Sequence, residues 1–533
     1  MQLRSLTLTG VFVALLLPLS APDAFGGEPT VAQRIDQLLD ARLRKDGVPP
    51  SPRSDDAEFQ RRVYLDLTGR LPPLAKAADF LDGKDPDKRA KLIDDLLASP
   101  ECGQHLARYW TELFVKRDGE QNKRLKTDTF WNWLADQFNK GSGWDRIVTD
   151  MLTVDGEGPA VFVFQANRLS GERPSPAKMV GATANLFLGV QLQCAECHDH
   201  PYAAWKRTEF WELAAFFGRT RFEKGAEKNS QKVTEAEPPP PDPAAKGRPG
   251  FRPPAKGKID IPDALGARVV AATVTAKLPG RPQLVLSEHG PYRPLYAAWL
   301  TDPKNPAFAR AAVNRYWSIL FARGLVNPLD DLNPDNTATH PELLDLLAAE
   351  FVRTGHDIKS LLRSICRTEA YQRSSRVTAG NRDHDGYARM PVKFLQGEVL
   401  LKCLDQALGV EVIVPVKNAK KEAVTAIPNA ELFDTAGYDE LASNYSFGAP
   451  QLLRLMNAEV PRRAPALIAK LHEGSPGPDK VVERLFLLTL ARRPTAAEAK
   501  DMLALVKESG DPAKGYAAAL WVLLNTAEFV ANH

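Results

Sequence analysis

Apolar side chains recur at three- and four-residue intervals along most of this chain, the period that lays one stripe down a helix. Val31, Ile35, Leu38 and Leu39 form such a stripe, with Thr30 placed to cap it. Phe59, Val63 and Leu67 repeat at spacing four and predict a helix over Phe59–Leu67, followed by turns at Gly69 and at Pro72-Pro73. Asp85-Pro86 and Ser99-Pro100 each put a capping residue ahead of a proline. Proline suits the first helical turn, where its missing N–H has no intrahelical partner to lose. Pro176 to about Leu188 reads as another helix, ending near Gly189. Thr208 is placed to cap Glu209–Phe217, with Gly218 as the stop.

From about Lys224 to Lys258 the pattern breaks into proline, glycine, lysine and alanine, with an unbroken run at Pro238–Pro241. That composition predicts a linker or exposed loop of partly polyproline character. Between Ile259 and Leu286, runs such as Val269-Val270 and Val274-Thr275 predict a few strands. Helical periodicity then returns. Asn305-Pro306 opens a helix through Arg323, with Val313, Trp317 and Leu320 inward and Gly324 closing it. Thr339 or His340 opens the next, closed by Gly355, and Asp357 caps a third carrying Ile358, Leu361, Leu362 and Ile365. Thr495 and Glu498 form a capping box, and a last helix carries Leu520, Trp521, Leu524 and Phe529 to His533. No repeat of fixed period is present.

The expected fold is therefore mainly α: two helical domains joined by a Pro-rich linker and a small β segment. Residues 27–223 form the first domain, 224–258 the linker, 259–290 the β-rich segment and 291–533 the second domain. A chain of 533 residues supports two or three domains. Its 25% charged and 44% hydrophobic residues are ordinary for a soluble globular protein. A net charge of +3 with no dense basic stripe argues against a nucleic-acid partner.

Residues 1–26 read as a signal peptide. Arg4 precedes an apolar core from Leu6 to Leu19, and Ala24-Phe25-Gly26 fits a small-x-small cleavage site. An uncleaved anchor is the alternative. No cysteine follows the apolar core, which argues against a lipoprotein. No other stretch is long and apolar enough to span a bilayer. The mature chain is thus expected to be secreted, in the periplasm or at the cell surface, without a transmembrane segment.

Cysteines in such an oxidising compartment are usually paired or ligated. There are five: Cys102, Cys194, Cys197, Cys366 and Cys403. Cys194-Ala195-Glu196-Cys197-His198 is a c-type haem attachment pattern. Two thiols form thioethers to the two vinyl groups, and the adjacent histidine reaches the iron from the same turn. On this reading haem c is bound covalently, with Cys194 and Cys197 as attachment points and His198 as the proximal iron ligand. The sixth ligand stays open among Met151, Met179, His105, His340 and His356. His200 lies too near in sequence to cross the macrocycle and is expected to bond a propionate or the backbone. Phe210, Trp211, Phe216 and Phe217 either wall a haem or pack in the core.

Two other chemistries suit the same residues. Cys194, Cys197, His198 and His200 are ligands that zinc favours, although the adjacency of Cys197 and His198 strains a single tetrahedral site using all four. A Cys194–Cys197 disulfide is the third option. Elsewhere, Asp330, Asp331 and Asp335 with Asn333, Asn336, Thr337 and His340 offer oxygen chemistry for calcium, against ordinary turn and capping duty. Ser287-Glu288-His289 combines a nucleophile and a base, but neighbours on a strand face opposite ways. There is no nucleophile elbow, phosphate loop or zinc-protease pattern.

Several strings together resemble a known family. Arg61-Arg62-Val63-Tyr64-Leu65-Asp66-Leu67-Thr68-Gly69-Arg70-Leu71-Pro72 is similar to the opening of a planctomycete-type secreted cytochrome domain, domain of unknown function 1549. Gln193 through Pro201, followed by Trp205 and Leu213-Ala214-Ala215-Phe216-Phe217, resembles its central motif. Val313-Asn314-Arg315-Tyr316-Trp317, Pro328-Leu329-Asp330-Asp331, His340-Pro341-Glu342-Leu343-Leu344, Tyr371-Gln372-Arg373-Ser374-Ser375 and Leu523 to Phe529 resemble its usual companion, domain of unknown function 1553. The resemblance implies a cytochrome-like protein, named so largely for the pentapeptide, from a family that often accompanies sulfatases and polysaccharide-degrading systems. The additional N-terminal cytochrome c domain of some relatives is not expected here. The chain departs from the family pattern in its proline-rich insert and at Ala322, where a glycine is expected.

Three functions follow from these readings. The first is single-haem electron transfer with a redox partner protein in the envelope, which makes a classical enzyme the less favoured description. The second is an envelope scaffold or polysaccharide-associated binding protein stapled by a Cys/His metal site or disulfide. The third is a haem enzyme with an open iron position.

Overall fold

The computed structural model describes residues 29–114, 127–164, 175–226, 230–235, 257–262, 270–382, 385–408 and 467–533, apart from isolated positions within them. The signal segment 1–26, the run Pro238–Pro241 and Ser287-Glu288-His289 lie outside the described residues. The chain is mainly α. Thr30 caps the helix Val31–Asp46 in a reciprocal box with Gln33, and the helix buries Ile35, Leu39 and Leu43. Asp55 caps Asp56–Thr68, which stops at Gly69 in the left-handed region, φ 62°. Helices Leu74–Asp82, Lys88–Ala98, Pro100–Phe114, Thr127–Asn139 and Trp144–Thr153 follow. Asp85 does not cap a helix directly. Its carboxylate accepts from Asp87 N at 2.9 Å, closing a turn first, and the helix begins at Lys88.

In the second half, Asn305 caps Pro306–Phe321 and Asp357 caps Ile358–Cys366, with Pro341–Arg353 between them. The Pro306 helix ends at Ala322 in the left-handed region, φ 61°. This is the position where the family pattern expects glycine, and the backbone supplies the reason: a Cβ is disfavoured there. The capping box of Thr495 and Glu498 opens Ala496–Glu508. The last helix, Pro512–Leu524, is shorter than expected. Phe529 leaves it, and Ala531–Asn532 pairs instead as a strand with Lys393–Phe394.

The other strands form two antiparallel hairpins. Lys258–Pro262 pairs with Val270–Thr275, in the stretch where β-branched runs predict strands. Thr220–Lys224 pairs with Gln231–Glu235, which lies inside the stretch read above as linker.

Among the described residues, hydrophobic burial gathers into two clusters. The larger takes residues from Ile35 through Met390 and centres on aromatics from distant segments. Trp110 lies 4.3 Å from Trp144 between ring centroids, and its indole N–H donates to Tyr316 Oη at 2.9 Å. Thr183 and Tyr296 share a hydroxyl–hydroxyl bond of 2.8 Å. The smaller cluster joins Leu65 and Leu71 to the C-terminal helices through Val399, Leu485, Phe486, Leu520 and Phe529.

Between the clusters runs a buried polar junction. Arg61, 1% exposed, donates to the carbonyls of Thr489 (3.1 Å), Glu528 (2.9 Å), Phe529 (2.9 Å) and Ala531 (3.1 Å). One guanidinium thus holds three carbonyls of the chain end and one of the helix Pro478–Leu490. Arg62 donates to Tyr371 O and to Glu58. Asp66 accepts from the Tyr371 hydroxyl at 2.8 Å, from Lys393 Nζ at 2.5 Å and from Asn532 Nδ2 at 2.7 Å.

Candidate haem-attachment site

The approach to the pentapeptide is a helix that loosens. Ser175 Oγ accepts from Lys178 N at 3.2 Å, Pro176 takes the first helical turn, and the helix runs to Thr183. One π turn, Ala184–Leu188, follows, and Gly189 at φ 66° stops it. A second segment then clasps the chain. Val190 forms a β-bridge with Asp331, and Leu332 N donates to Gly189 O at 2.8 Å. Asp330 accepts from Asn185 at 2.5 Å and from Gln191 at 3.1 Å.

The motif is a 3-10 turn, Leu192–Glu196. In such a turn, side chains three residues apart lie above one another. Leu192 and Ala195 are both buried, so they form the inner face. Cys194 and Cys197, also three apart, are both exposed. Cys194 lies in the turn, and Cys197 directly follows its last residue. Helix Pro176–Thr183 lies so close behind that a Cβ on Gly181 would fall 2.9 Å from Gln193 Cγ.

The two histidines have opposite tautomers. His198 is exposed, and its Nδ1 lies 2.7 Å from Asp199 O. A carbonyl only accepts, so Nδ1 carries the proton and Nε2 keeps a lone pair for a ligand. His200 Nδ1 accepts from Tyr202 N at 3.2 Å and Ala203 N at 3.0 Å, and its Nε2 donates to Gln191 O at 3.2 Å. Both of its nitrogens are used in bonding the backbone, one of the two roles expected for it. Among the described residues no three His, Cys, Asp or Glu side chains converge on a point that could hold a metal ion. Cys194, Cys197, His198 and His200 are therefore neighbours in sequence that the fold does not gather round one centre.

The residues after the motif hold it in place. Glu196 O accepts from Trp211 Nε1 at 3.0 Å and from Arg207 Nε at 3.3 Å. Asp199 Oδ1 accepts from Arg207 N at 2.8 Å, and Lys206 N donates to Glu209 at 2.9 Å. The helix spans Arg207–Ala214, so Thr208 lies inside it, not at its cap. Gly218 closes nothing by a left-handed turn, because its φ is −58°. Sequence reading missed Asp199, Arg207 and Trp211 as supports, since no local spacing rule links a residue to an indole fifteen positions on.

The sixth-ligand candidates lie in the interior. Met151 and Met179 are core residues. His105 packs against the left-handed turn at Gly69, and burial first, then nearby Lys402 and Arg108, draw it down to about 3. His340 bonds the Thr339 hydroxyl at 3.2 Å. His356 sits between Phe308 and Phe351 with Nδ1 3.6 Å from Asp145, and burial lowers its basicity. Phe210, Trp211, Phe216 and Phe217 belong to the core. Cys102, Cys366 and Cys403 are buried and unbridged, and burial pushes the thiols of Cys102 and Cys403 to about 11 and about 12. In the Asp330–Asn336 loop, Asp330 bonds Asn185 and Gln191, while Asn333 Oδ1 accepts from Asp335 N and Asn336 N and Asn336 donates to Asp331. The bonds within the loop are turn duty.

An open cleft of about 270 Å³ borders the loop after the motif, lined by Val190, Ala203, Trp205, Pro279, Leu332 and Pro334. It lies just under the ~300–1,000 Å³ of ordinary ligand pockets, and none of Cys194, Cys197 and His198 lines it. The donor set fits haem c: two accessible thiols, at and just after the turn, and an adjacent imidazole with Nε2 available. No helix among the described residues is long and apolar enough to cross a membrane.

Residues 34–222 match the family model described as protein of unknown function DUF1549 (PSCyt2), and residues 293–410 match protein of unknown function DUF1553 (PSD1). No curated protein and no solved structure matches the chain. The two matches span more than half of the 533 residues and stand in the order that the sequence strings predict. The chain belongs to the family in which a DUF1549 (PSCyt2) domain is followed by a DUF1553 (PSD1) domain.

Proposed function

We propose that this chain is a secreted c-type cytochrome of the cell envelope that passes single electrons to a partner protein. Cys194 and Cys197 would hold the haem through thioethers and His198 would bind its iron through Nε2. The bound haem would supply a ferric–ferrous couple. The observation that carries the reading is the contact of His198 Nδ1 with Asp199 O: an Nδ1–H held by a backbone carbonyl presents Nε2 to a metal, the arrangement that metal-binding histidines commonly use. The exposure of both thiols, one in the turn and one directly after it, supports it.

The test is a haem stain of the denatured mature protein, made in cells with a c-type maturation system, beside an absorption spectrum of the reduced native sample. Covalent haem is expected in the wild type and absent in the double variant Cys194→Ala/Cys197→Ala. No covalent haem in the wild type would overturn the reading.

One observation favours a second reading. The motif turn is already held by Trp211, Arg207 and the Asp330 loop, and it joins the two family segments. A scaffold with a Cys194–Cys197 disulfide would use that rigidity. Thiol counting and zinc analysis of a haem-free wild type would test it.

A further inference from the structure

We propose that Asp199 is a positioning residue: its carboxylate, anchored on the helix Arg207–Ala214, holds its own carbonyl on His198 Nδ1 and so fixes which ring nitrogen is left for the iron. The inference rests on the haem reading for its redox consequence, and on geometry alone for the orientation of the ring.

The need for an anchor comes from exposure. His198 and Asp199 both face solvent. A hydrogen bond there is weak by itself, because water competes for the same N–H. A carbonyl in an unrestrained turn would rotate away and let the imidazole change tautomer. Here the peptide is fastened on each side. Upstream, Glu196 O takes two donors, Trp211 Nε1 at 3.0 Å and Arg207 Nε at 3.3 Å. Downstream, His200 N donates to Trp205 O at 2.8 Å, and the His200 ring bonds Gln191 O, Tyr202 N and Ala203 N. Only three residues remain between these fixed points.

Asp199 fastens the middle. Its Oδ1 accepts from Arg207 N at 2.8 Å, the first amide of the helix. That amide has no intrahelical acceptor, and the positive end of the helix favours a carboxylate. The same residue therefore makes two bonds in different directions: side chain to the helix, carbonyl to His198 Nδ1 at 2.7 Å. Fixing the first limits the rotation of the second.

The chemical consequence follows from outer-sphere bonding. An Nδ1–H donated to a well-placed oxygen makes Nε2 a stronger donor. A stronger donor stabilises ferric over ferrous iron, which lowers the midpoint potential. Loosening the carbonyl raises it.

The experiment compares full-length wild type, Asp199→Ala and Asp199→Asn, each matured with haem and also prepared without it. In the haem-free proteins, ¹⁵N NMR of the His198 ring should show Nδ1–H dominant in the wild type and in Asp199→Asn, whose amide oxygen still accepts from Arg207 N. Asp199→Ala should shift the tautomer ratio toward Nε2–H by about tenfold. In the haem-loaded proteins, covalent stain should be equal in all three. The ferric-to-ferrous preference of Asp199→Ala should fall about tenfold, a rise of about 59 mV for one electron. Equal stain with an unmoved potential would overturn the proposal. No stain in the wild type would overturn the haem reading alone. The NMR arm would then decide Asp199 by itself: an unchanged tautomer ratio in Asp199→Ala overturns it, and a shift upholds it.

Discussion

Two regions of this molecule carry the strongest family strings, and they are built in opposite ways. The pentapeptide turn is exposed and short, and it is held by a few hydrogen bonds, from Arg207 and Trp211 nearby and from Asp330 across the chain. The junction around Arg61, Arg62 and Asp66 is buried and reaches across the chain, with Arg61 bonding Thr489 and Glu528. A surface turn with free thiols and an available imidazole nitrogen can do chemistry. A buried guanidinium with carbonyl partners does architecture, because its charge is already spent on the backbone. Burial draws Arg61 down to about 10, which still leaves it protonated at neutral pH. Family strings of similar length thus mark different roles, and burial separates them.

Breaking the junction should have the largest effect. Asp66→Ala leaves Lys393, the Tyr371 hydroxyl and Asn532 without their shared acceptor. Removing one partner of a buried ion pair costs about 3–5 kcal/mol. Urea unfolding should show that loss, while any covalent haem stays attached. A loss below about 1 kcal/mol would mean that the junction tolerates solvent and the contrast with the turn fails.

Pressure from behind the turn comes next. Gly181→Ala puts a methyl 2.9 Å from Gln193 Cγ. Overpacking of this kind costs about 1–3 kcal/mol. It should also lower haem loading, and Gln193→Ala should restore both. Failure of the second substitution to compensate would show that the close approach is not what positions the motif.

Trp211→Phe removes a donor to Glu196 O and should cost about 1 kcal/mol, with the motif turn loosened more than the global fold. Amide hydrogen exchange at Cys197 and His198 measures this, with faster exchange expected there than across Arg207–Ala214.

Ala322→Gly should act in the other direction. Relieving a left-handed alanine, less the added freedom of glycine in the unfolded chain, should gain about 0.5–1 kcal/mol. A thermal melt decides it, and a fall in Tm would refute the assignment of strain to that position.

The smallest effect at neutral pH belongs to His105. Its folded value near 3 lies below the ordinary histidine value near 6.5. Between those limits the unfolded chain binds a proton that the native state refuses. Stability is therefore full above about pH 6.5 and falls as the pH drops toward 3. His105→Gln should flatten that slope in unfolding curves taken from pH 7 to pH 4 and change little at pH 7.

Local rules were legible in the chain wherever cause and effect lie within four residues. Thr30, Asn305, Asp357 and Thr495 cap the helices that their positions imply. Pro176 opens and Gly189 stops the segment before the motif. The same rules erred where a distant group competed. Thr208 offers a cap, yet the helix starts earlier, at Arg207, where Asp199 eight residues upstream receives the first amide. The stripe from Leu520 to Phe529 suggests one helix, yet Arg61 collects the carbonyls that continuing it would have used.

The sequence by itself determined the helical class, the caps and the spacing that puts two thiols and an imidazole at one turn. These depend on backbone periods and on side chains a few bonds apart. Tertiary structure decided that Tyr316 meets Trp110 in one core, that the Asp330 loop clasps the segment entering the motif, and that His198 and His200 turn opposite ring nitrogens to the backbone carbonyls. Each of those outcomes turns on which donor faces which acceptor once distant segments have packed, and periodicity carries no record of that.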